Sequence, residues 1–398
     1  MSEDRDAPHR KKPPAPFPLT IITGFLGAGK TSLLNRLLRD PLAADTVVII
    51  NEFGETGLDH LLVERVDGDL LVMTSGCLCC SIRGDLIATL EDILRKRDNG
   101  RIAPFGRVII ETTGLADPAP VLHTVMAHPY LTLRFCLDGV VTLVDAVNGM
   151  ATLDAHEEAV KQAAMADRLV LSKTDLLADG NTLQDLRARL VKLNPGAVLL
   201  DAVQGQATAA ALLNAGIYDP HRKIPDVRHW LNAEAFAADD RHGHSARVHR
   251  HAQGGGAGHE SEGREDHDVN RHDARIRAFC IRHEALLPPS ALDLFIALLA
   301  NAHGPNLLRV KGIVALADDP ARPVIIHGVQ HVFHAPLRLA AWPDDDHTTR
   351  IVLILRDMDQ AFVETLWQAA AGVPSPDRPD QAALTASPLA PCKGGLLA

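Results

Sequence analysis

Aromatic residues are scarce in this chain of 398 residues, where Phe, Trp and Tyr together make up 4%. That removes the stacking platforms on which single-stranded nucleic acid is usually held. An excess of positive charge is missing as well. The formal net charge is −10, so composition forces no basic face toward a phosphate backbone. No apolar run is long enough to cross a membrane. Residues 1–18 are charged and proline-rich, with Lys11-Lys12 ahead of Pro13-Pro14, and lack the apolar centre of a secretory signal. Cysteine is limited to six residues, three of them crowded into four positions, which does not fit a disulfide framework. These absences lead to the expectation of a cytoplasmic protein with reduced thiols and neither a nucleic-acid nor a membrane partner.

The length suffices for two domains, each with its own core. Strand-like apolar runs at 19–24, 46–51, 70–75, 107–111, 139–145, 168–172 and 197–201 alternate with helical patterns at 31–39, 82–97, 118–127, 151–166 and 182–193. That alternation predicts an α/β domain with a mostly parallel sheet over residues 18–238, whose ligands gather at the carboxyl ends of its strands. Residues 239–273 break the pattern. They are rich in His, Gly, Arg and Asp, contain Gly254-Gly255-Gly256, and are expected to form a flexible loop. Residues 274–372 read as a smaller α+β domain in the order β-α-β-β-β-α. Tails at 1–17 and 373–398 are expected to be disordered.

Within this frame Gly24-Phe25-Leu26-Gly27-Ala28-Gly29-Lys30-Thr31 stands between an apolar strand and a helix whose leucines recur at 33, 34, 37 and 38. Strand, glycine turn and helix start are the context of a phosphate-binding loop. Gly24, Gly27, Ala28 and Gly29, with the amides of Lys30, Thr31 and Ser32, would form an anion nest at a helix N-terminus. Lys30 would reach the β- and γ-phosphates, and the Thr31 hydroxyl would ligate Mg²⁺. A chance glycine turn would carry no such flanking pattern. The chain is read as binding a nucleoside triphosphate.

Four further strand ends carry unusual residues. Ser172-Lys173-Thr174-Asp175 sits where a GTPase reads its base: the Asp175 carboxylate would accept from guanine, and the Lys173 stem would lie along the ring. The motif has Ser where Asn is usual, and taken alone it could be a helix cap. Glu111-Thr112-Thr113-Gly114 follows an apolar strand, so Glu111 would act on Mg²⁺ through water and the Gly114 amide would sense the γ-phosphate. Asn51-Glu52-Phe53-Gly54-Glu55 and Gly76-Cys77-Leu78-Cys79-Cys80 close two more strands. The thiolates of Cys77, Cys79 and Cys80 favour Zn²⁺ and other soft or borderline ions. A fourth place is open to Glu52, Glu55, a His or water. An incomplete cage suits a metal that is carried and released, and redox pairing of the thiols is the rival.

Together these residues resemble the CobW-like family of P-loop GTPases, the metallochaperone and metal-insertase group. The five motifs occur in the family's order, and Leu308-Arg309-Val310-Lys311-Gly312 with Gly328-Val329-Gln330 resembles its C-terminal domain. The resemblance implies slow GTP hydrolysis by Lys30, Thr31 and Glu111. It also implies a transition-metal ion at Cys77, Cys79 and Cys80, and delivery of that ion to a client metalloprotein. Zinc is the ion expected, with cobalt for cobalamin synthesis or a nitrile hydratase metal as the alternative. A nucleotide-dependent homodimer is one arrangement open to such a protein. His242, His244, His249, His251, His259, His267 and His272 would make the loop at 239–273 a low-order metal reservoir, or else a linker of biased composition. His327, His331 and His334 read as ordinary strand histidines, the first two on one face. Cys136 and Cys280 read as core residues and Cys392 as a tail thiol. Two rivals of other classes are a ribosome-assembly GTPase, which lacks its basic surface here, and a non-enzymatic zinc buffer or sensor.

Overall fold

The computed structural model describes residues 15–52, 70–74, 81–177, 179–213 and 275–372. Cys77, Cys79, Cys80, Glu55, Cys392 and the histidines of 239–273 lie outside them, and Glu52 is positioned only by its strand.

The first layer system is a seven-stranded sheet of β1 (Phe17–Gly24), β2 (Thr46–Glu52), β3 (Leu70–Thr74), β4 (Arg107–Glu111), β5 (Phe135–Asp145), β6 (Arg168–Ser172) and β7 (Val198–Asp201), in the order β3-β2-β4-β1-β5-β6-β7. Every ladder in it is parallel. Such a sheet needs cover on both faces, which is why its strands are apolar on both. Ile21 faces one core and Ile22 the other, each fully buried. On the Ile22 side α1 (Lys30–Leu38) buries Leu33, Leu34 and Leu37. The opposite side carries α2 (Ser81–Asp98), α3 (Ala119–Ala127), the short α4 (Leu131–Arg134), α5 (Gly149–Ala155), α6 (Glu157–Met165) and α7 (Gly180–Leu193). A last short turn, α8 (Ala209–Leu212), returns to the α1 side.

The pattern at 151–166 predicts one helix, and the structure has two. His156 adopts an extended backbone (φ −131°, ψ 111°), ends α5 and opens α6. Its ring stacks on Phe25 of the glycine loop at 4.4 Å between centroids, a tertiary contact that periodicity does not reveal.

The second layer system is antiparallel. Strands β8 (Ile276–His283), β9 (Leu307–Val314), β10 (Val324–Val329), β11 (Val332–Phe333) and β13 (Thr349–Arg356) run in the order β11-β10-β9-β13-β8, with β12 (Leu337–Arg338) paired beside β10. One face is covered by α9 (Pro289–His303) and α10 (Gln360–Ala370), where Phe295 and Trp367 pack edge to face. The other face contributes Ile276, Leu308, Val329 and Ile354 to the core shared with the helices of the first sheet. Burial of each such side chain is worth about 1.5–3 kcal/mol, so the two layer systems are joined by apolar packing.

His327 and His331, expected on one face of a strand, do not share one. Residues 324–333 form a tight hairpin rather than one strand, turning at Gln330 (φ 52°). His327 and His334 therefore face each other across it, rings stacked at 5.1 Å, while His331 sits in the turn and packs against His123 of α3 at 4.1 Å. Cys136 and Cys280 are half-buried rather than core residues.

Candidate functional site

The glycine loop is built by three positive-φ glycines: Gly24 (139°), Gly27 (73°) and Gly29 (91°). At Gly24 a Cβ would lie 2.4 Å from the Leu143 carbonyl oxygen on β5, so only glycine lets β1 end there. Gly29 opens α1 without any side-chain cap, and no acidic residue stands in the first turn. The helix N-terminus thus presents its amides and positive dipole end to an anion. Lys30 folds back over the loop, its ammonium donating to the carbonyls of Gly24 (2.9 Å) and Phe25 (3.3 Å).

Two neighbours converge on this loop. From β4, buried Glu111 accepts a hydrogen bond from the Thr31 hydroxyl at 3.2 Å. The next residues are held in place by Thr112, whose hydroxyl bonds that of Thr23 (2.8 Å) and whose amide bonds the Ile22 carbonyl (2.9 Å). Gly114 then comes down on the glycine loop itself. A Cβ there would meet the Leu26 amide nitrogen at 2.6 Å and its Cα at 2.7 Å. Gln162 of α6 donates to the carbonyls of Gly114 (3.2 Å) and Ala116 (2.9 Å), and the Asp117 carboxylate caps Ala119 at the start of α3.

On the other flank, Ser172 donates to the Ala28 carbonyl at 2.7 Å, so the end of β6 is tied to the glycine loop. Lys173 takes a left-handed backbone (φ 58°) and pairs with Asp145 at 2.7 Å. Burial pushes the Asp145 carboxyl up. Bonds from Lys173, Asn148 and the Val147 and Asn148 amides outweigh it and hold its pKa below the ordinary value. Thr174 donates to Asp201 at 2.9 Å, while Asp175 is exposed.

The structure thus brings Gly24, Gly27, Ala28, Gly29, Lys30, Thr31, Glu111, Gly114, Lys173 and Asp175 to one end of the sheet. Ser32 follows in the first turn of α1. β2 and β3 end at that same side, and Glu52 pairs with Thr74 in their ladder. No group of three or more His, Cys, Asp or Glu side chains able to hold a metal occurs among the described residues. Sequence reasoning missed Asp145, Gln162 and Asp201. Asp145 and Asp201 could have been found as acidic residues ending apolar parallel strands, but Gln162, mid-helix, carries no such signal.

A family model described as "CobW/HypB/UreG, nucleotide-binding domain" matches residues 18–201, and "Cobalamin synthesis protein cobW C-terminal domain" matches residues 276–371. The zinc chaperone YjiA of Escherichia coli K12 is 38% identical over 199 residues, which is 50% of this chain and 61% of that protein. The zinc chaperone CobW of a Sinorhizobium species is 28% identical over 380 residues, 87% of this chain and 95% of that one. Among solved structures, Zn(II)-bound YjiA GTPase from E. coli has the same fold, with a TM-score of 0.60 at 24% identity over 89% of this chain and 99% of that one.

Proposed function

Since the chain belongs to the CobW family of P-loop GTPases, we propose that it is a GTP-hydrolysing metallochaperone that carries zinc to a client metalloprotein. The observation that carries this reading is the seating of Gly114 against Leu26. A backbone amide at that point, on a loop gripped by α3 and α6, would sense whether a γ-phosphate is present.

Hydrolysis would rest on positioning and charge compensation. The Lys30 ammonium and the amides of the glycine loop would offset phosphate charge, and the Glu111–Gly114 loop would close over the γ-phosphate. Thr31 and Glu111 are oxygen donors 3.2 Å apart, the donor type that Mg²⁺ prefers, and would hold that ion. When bound it would supply neutralising charge for the phosphates. Asp175, exposed and next to the tethered Lys173, would read guanine.

The cargo would be held by Cys77, Cys79 and Cys80, with Glu52 or Glu55 as the fourth donor. Zinc is favoured over cobalt because the relatives are named zinc chaperones. Coupling has a short route: Ile50 of β2 is the ladder partner of Glu111, so the strand bearing Glu52 adjoins the strand bearing the Mg²⁺ carboxylate. A chelator-competition titration of Zn²⁺ tests the reading. Affinity should be about 5- to 150-fold higher with a non-hydrolysable GTP analogue than with GDP, the usual span of allosteric coupling. Replacing the three cysteines with serine should abolish that high-affinity binding. Equal affinities in both nucleotide states would reduce the protein to a GTPase that happens to bind zinc.

A further inference from the structure

Asp201 ends β7 with no exposed surface, yet it carries a carboxylate. Its Oδ1 accepts from the Thr174 hydroxyl (2.9 Å) and from the amides of Val203 (3.0 Å) and Gln204 (3.2 Å), and its Oδ2 accepts from Arg187 of α7 (3.2 Å). Its own amide donates to Gln206 at 2.9 Å. Burying a carboxylate costs several kcal/mol unless it is paired and fully hydrogen-bonded, and this one is both. The turn amides alone would need only one oxygen, which an asparagine could supply. The second oxygen and the charge are engaged by Arg187, and the Thr174 bond reaches a different loop altogether.

That loop is the one carrying Lys173 and Asp175. It is already fastened at Ser172 to the Ala28 carbonyl and at Lys173 to Asp145. The Thr174–Asp201 bond is its third tie and joins it to the turn after β7. Each of the two joined loops exposes one aliphatic side chain beside its anchor, Leu176 at 65% and Val203 at 50%. A purine base is a flat heterocycle with apolar faces and a polar edge. Two aliphatic residues on adjoining loops, with the free Asp175 carboxylate between Thr174 and Leu176, suit such a ring.

We propose that Asp201 is a positioning residue for base selectivity: its carboxylate fixes the distance between the Lys173–Leu176 loop and the turn after β7, and so aims Asp175 at the guanine edge. Asp201 is saturated and buried, so it acts through Thr174 and the turn amides and never touches the nucleotide. The inference rests on the reading of Asp175 as the group that recognises guanine.

The test uses the full chain and steady-state hydrolysis of GTP, ITP and ATP by Thr174→Val, Asp201→Asn and Asp175→Asn, with thermal melts as the check on folding. Thr174→Val keeps side-chain shape and removes only the hydroxyl, so it remains informative if Asp201→Asn fails to fold. Loss of one hydrogen bond that aims a recognition group should raise KM for GTP by about 5- to 10-fold. The GTP-to-ATP ratio of kcat/KM should shrink by a similar factor, an effect that a turn serving stability alone would not produce. If Asp175→Asn collapses this ratio while Thr174→Val leaves both it and KM unchanged, the role given to Asp201 is wrong. If Asp175→Asn itself leaves the ratio intact, the base-reading assignment fails and the inference falls with it.

Discussion

The Lys311 ammonium lies 2.7 Å from Asp167 Oδ1, and the two residues belong to different layer systems. Arg309 donates to the same oxygen at 2.5 Å, and the Val140 amide donates to the other at 2.9 Å. All three side chains are buried. Burial alone would raise the Asp167 pKa, but the charges of Arg309, Lys311 and His327 outweigh it and hold the carboxyl well below the usual range. One carboxylate thus anchors the segment Leu308–Gly312 to the end of α6.

Removing one partner of a buried ion pair strands the others, at a cost of about 3–5 kcal/mol. Asp167→Ala, which leaves two buried cations facing no anion, should lose stability in that range in urea melts followed by Trp fluorescence. A loss below about 1 kcal/mol would mean the cations find water or another anion. The sign with pH follows from the lowered pKa. The contribution of Asp167 is complete above the ordinary carboxylate value near 4 and disappears as pH falls toward its folded value.

His334 should make the protein sensitive to mild acid. Burial lowers its pKa to about 4, with Asp167 only partly offsetting the effect. The unfolded chain, with a pKa near 6.5, binds a proton between pH 6.5 and 4 that the folded protein refuses, so stability falls as pH falls through that window. Between pH 7 and pH 5 this amounts to about 2 kcal/mol. His334→Gln should flatten the pH dependence of the urea midpoint by that amount. An NMR titration showing His334 protonated at pH 6 would contradict the assignment.

Gly114→Ala should cripple the nucleotide response. The added methyl would meet backbone atoms of Leu26, which cannot rotate away as a side chain tip could. The loop must lift, and overpacking of this kind costs about 1–3 kcal/mol. Binding of a GTP analogue should weaken by about tenfold or more, since 1.4 kcal/mol is a factor of ten. GDP should bind nearly as before. Equal losses for both nucleotides would show that Gly114 supports the loop without sensing the γ-phosphate.

Lys30→Ala should abolish GTP turnover and leave Zn²⁺ binding intact, because the ammonium sits over the glycine loop and no metal role is assigned to it. Turnover and zinc stoichiometry measured on the same preparation separate the two. Wild-type turnover by the variant would remove the phosphate-loop assignment.

The parallel sheet was legible because its strands are apolar runs, and at Gly24, Glu111 and Ser172 such a run ends in a residue with chemistry. Strands buried on both faces leave little ambiguity in such a pattern. The glycine loop was equally plain, since Gly24 and Gly29 occupy backbone conformations that few other residues tolerate. What escaped were tertiary decisions. His156 breaks a helix whose local pattern continues through it, and the break brings its ring onto Phe25. Gln330 turns the chain so that His327 meets His334, an event decided by one positive φ in an otherwise strand-like run. The Asp167 anchor joins residues 142 and 144 positions apart, a distance at which no periodicity operates.

Among the described residues β3 has a strand neighbour on one side only, and the cysteine-bearing stretch follows it in the sequence. Its ladder to β2 can part while β2, β4, β1, β5, β6 and β7 keep theirs, so this margin of the sheet can open without disturbing the glycine loop after β1 or the end of β6. Local opening needs far less free energy than global unfolding, and a marginal strand is where it begins. Amide exchange should therefore proceed inward from 70–74, with Val108–Ile110 at the centre among the slowest. On the proposed function, a carrier built in this way would hand over its ion by fraying at one margin, with the nucleotide still seated.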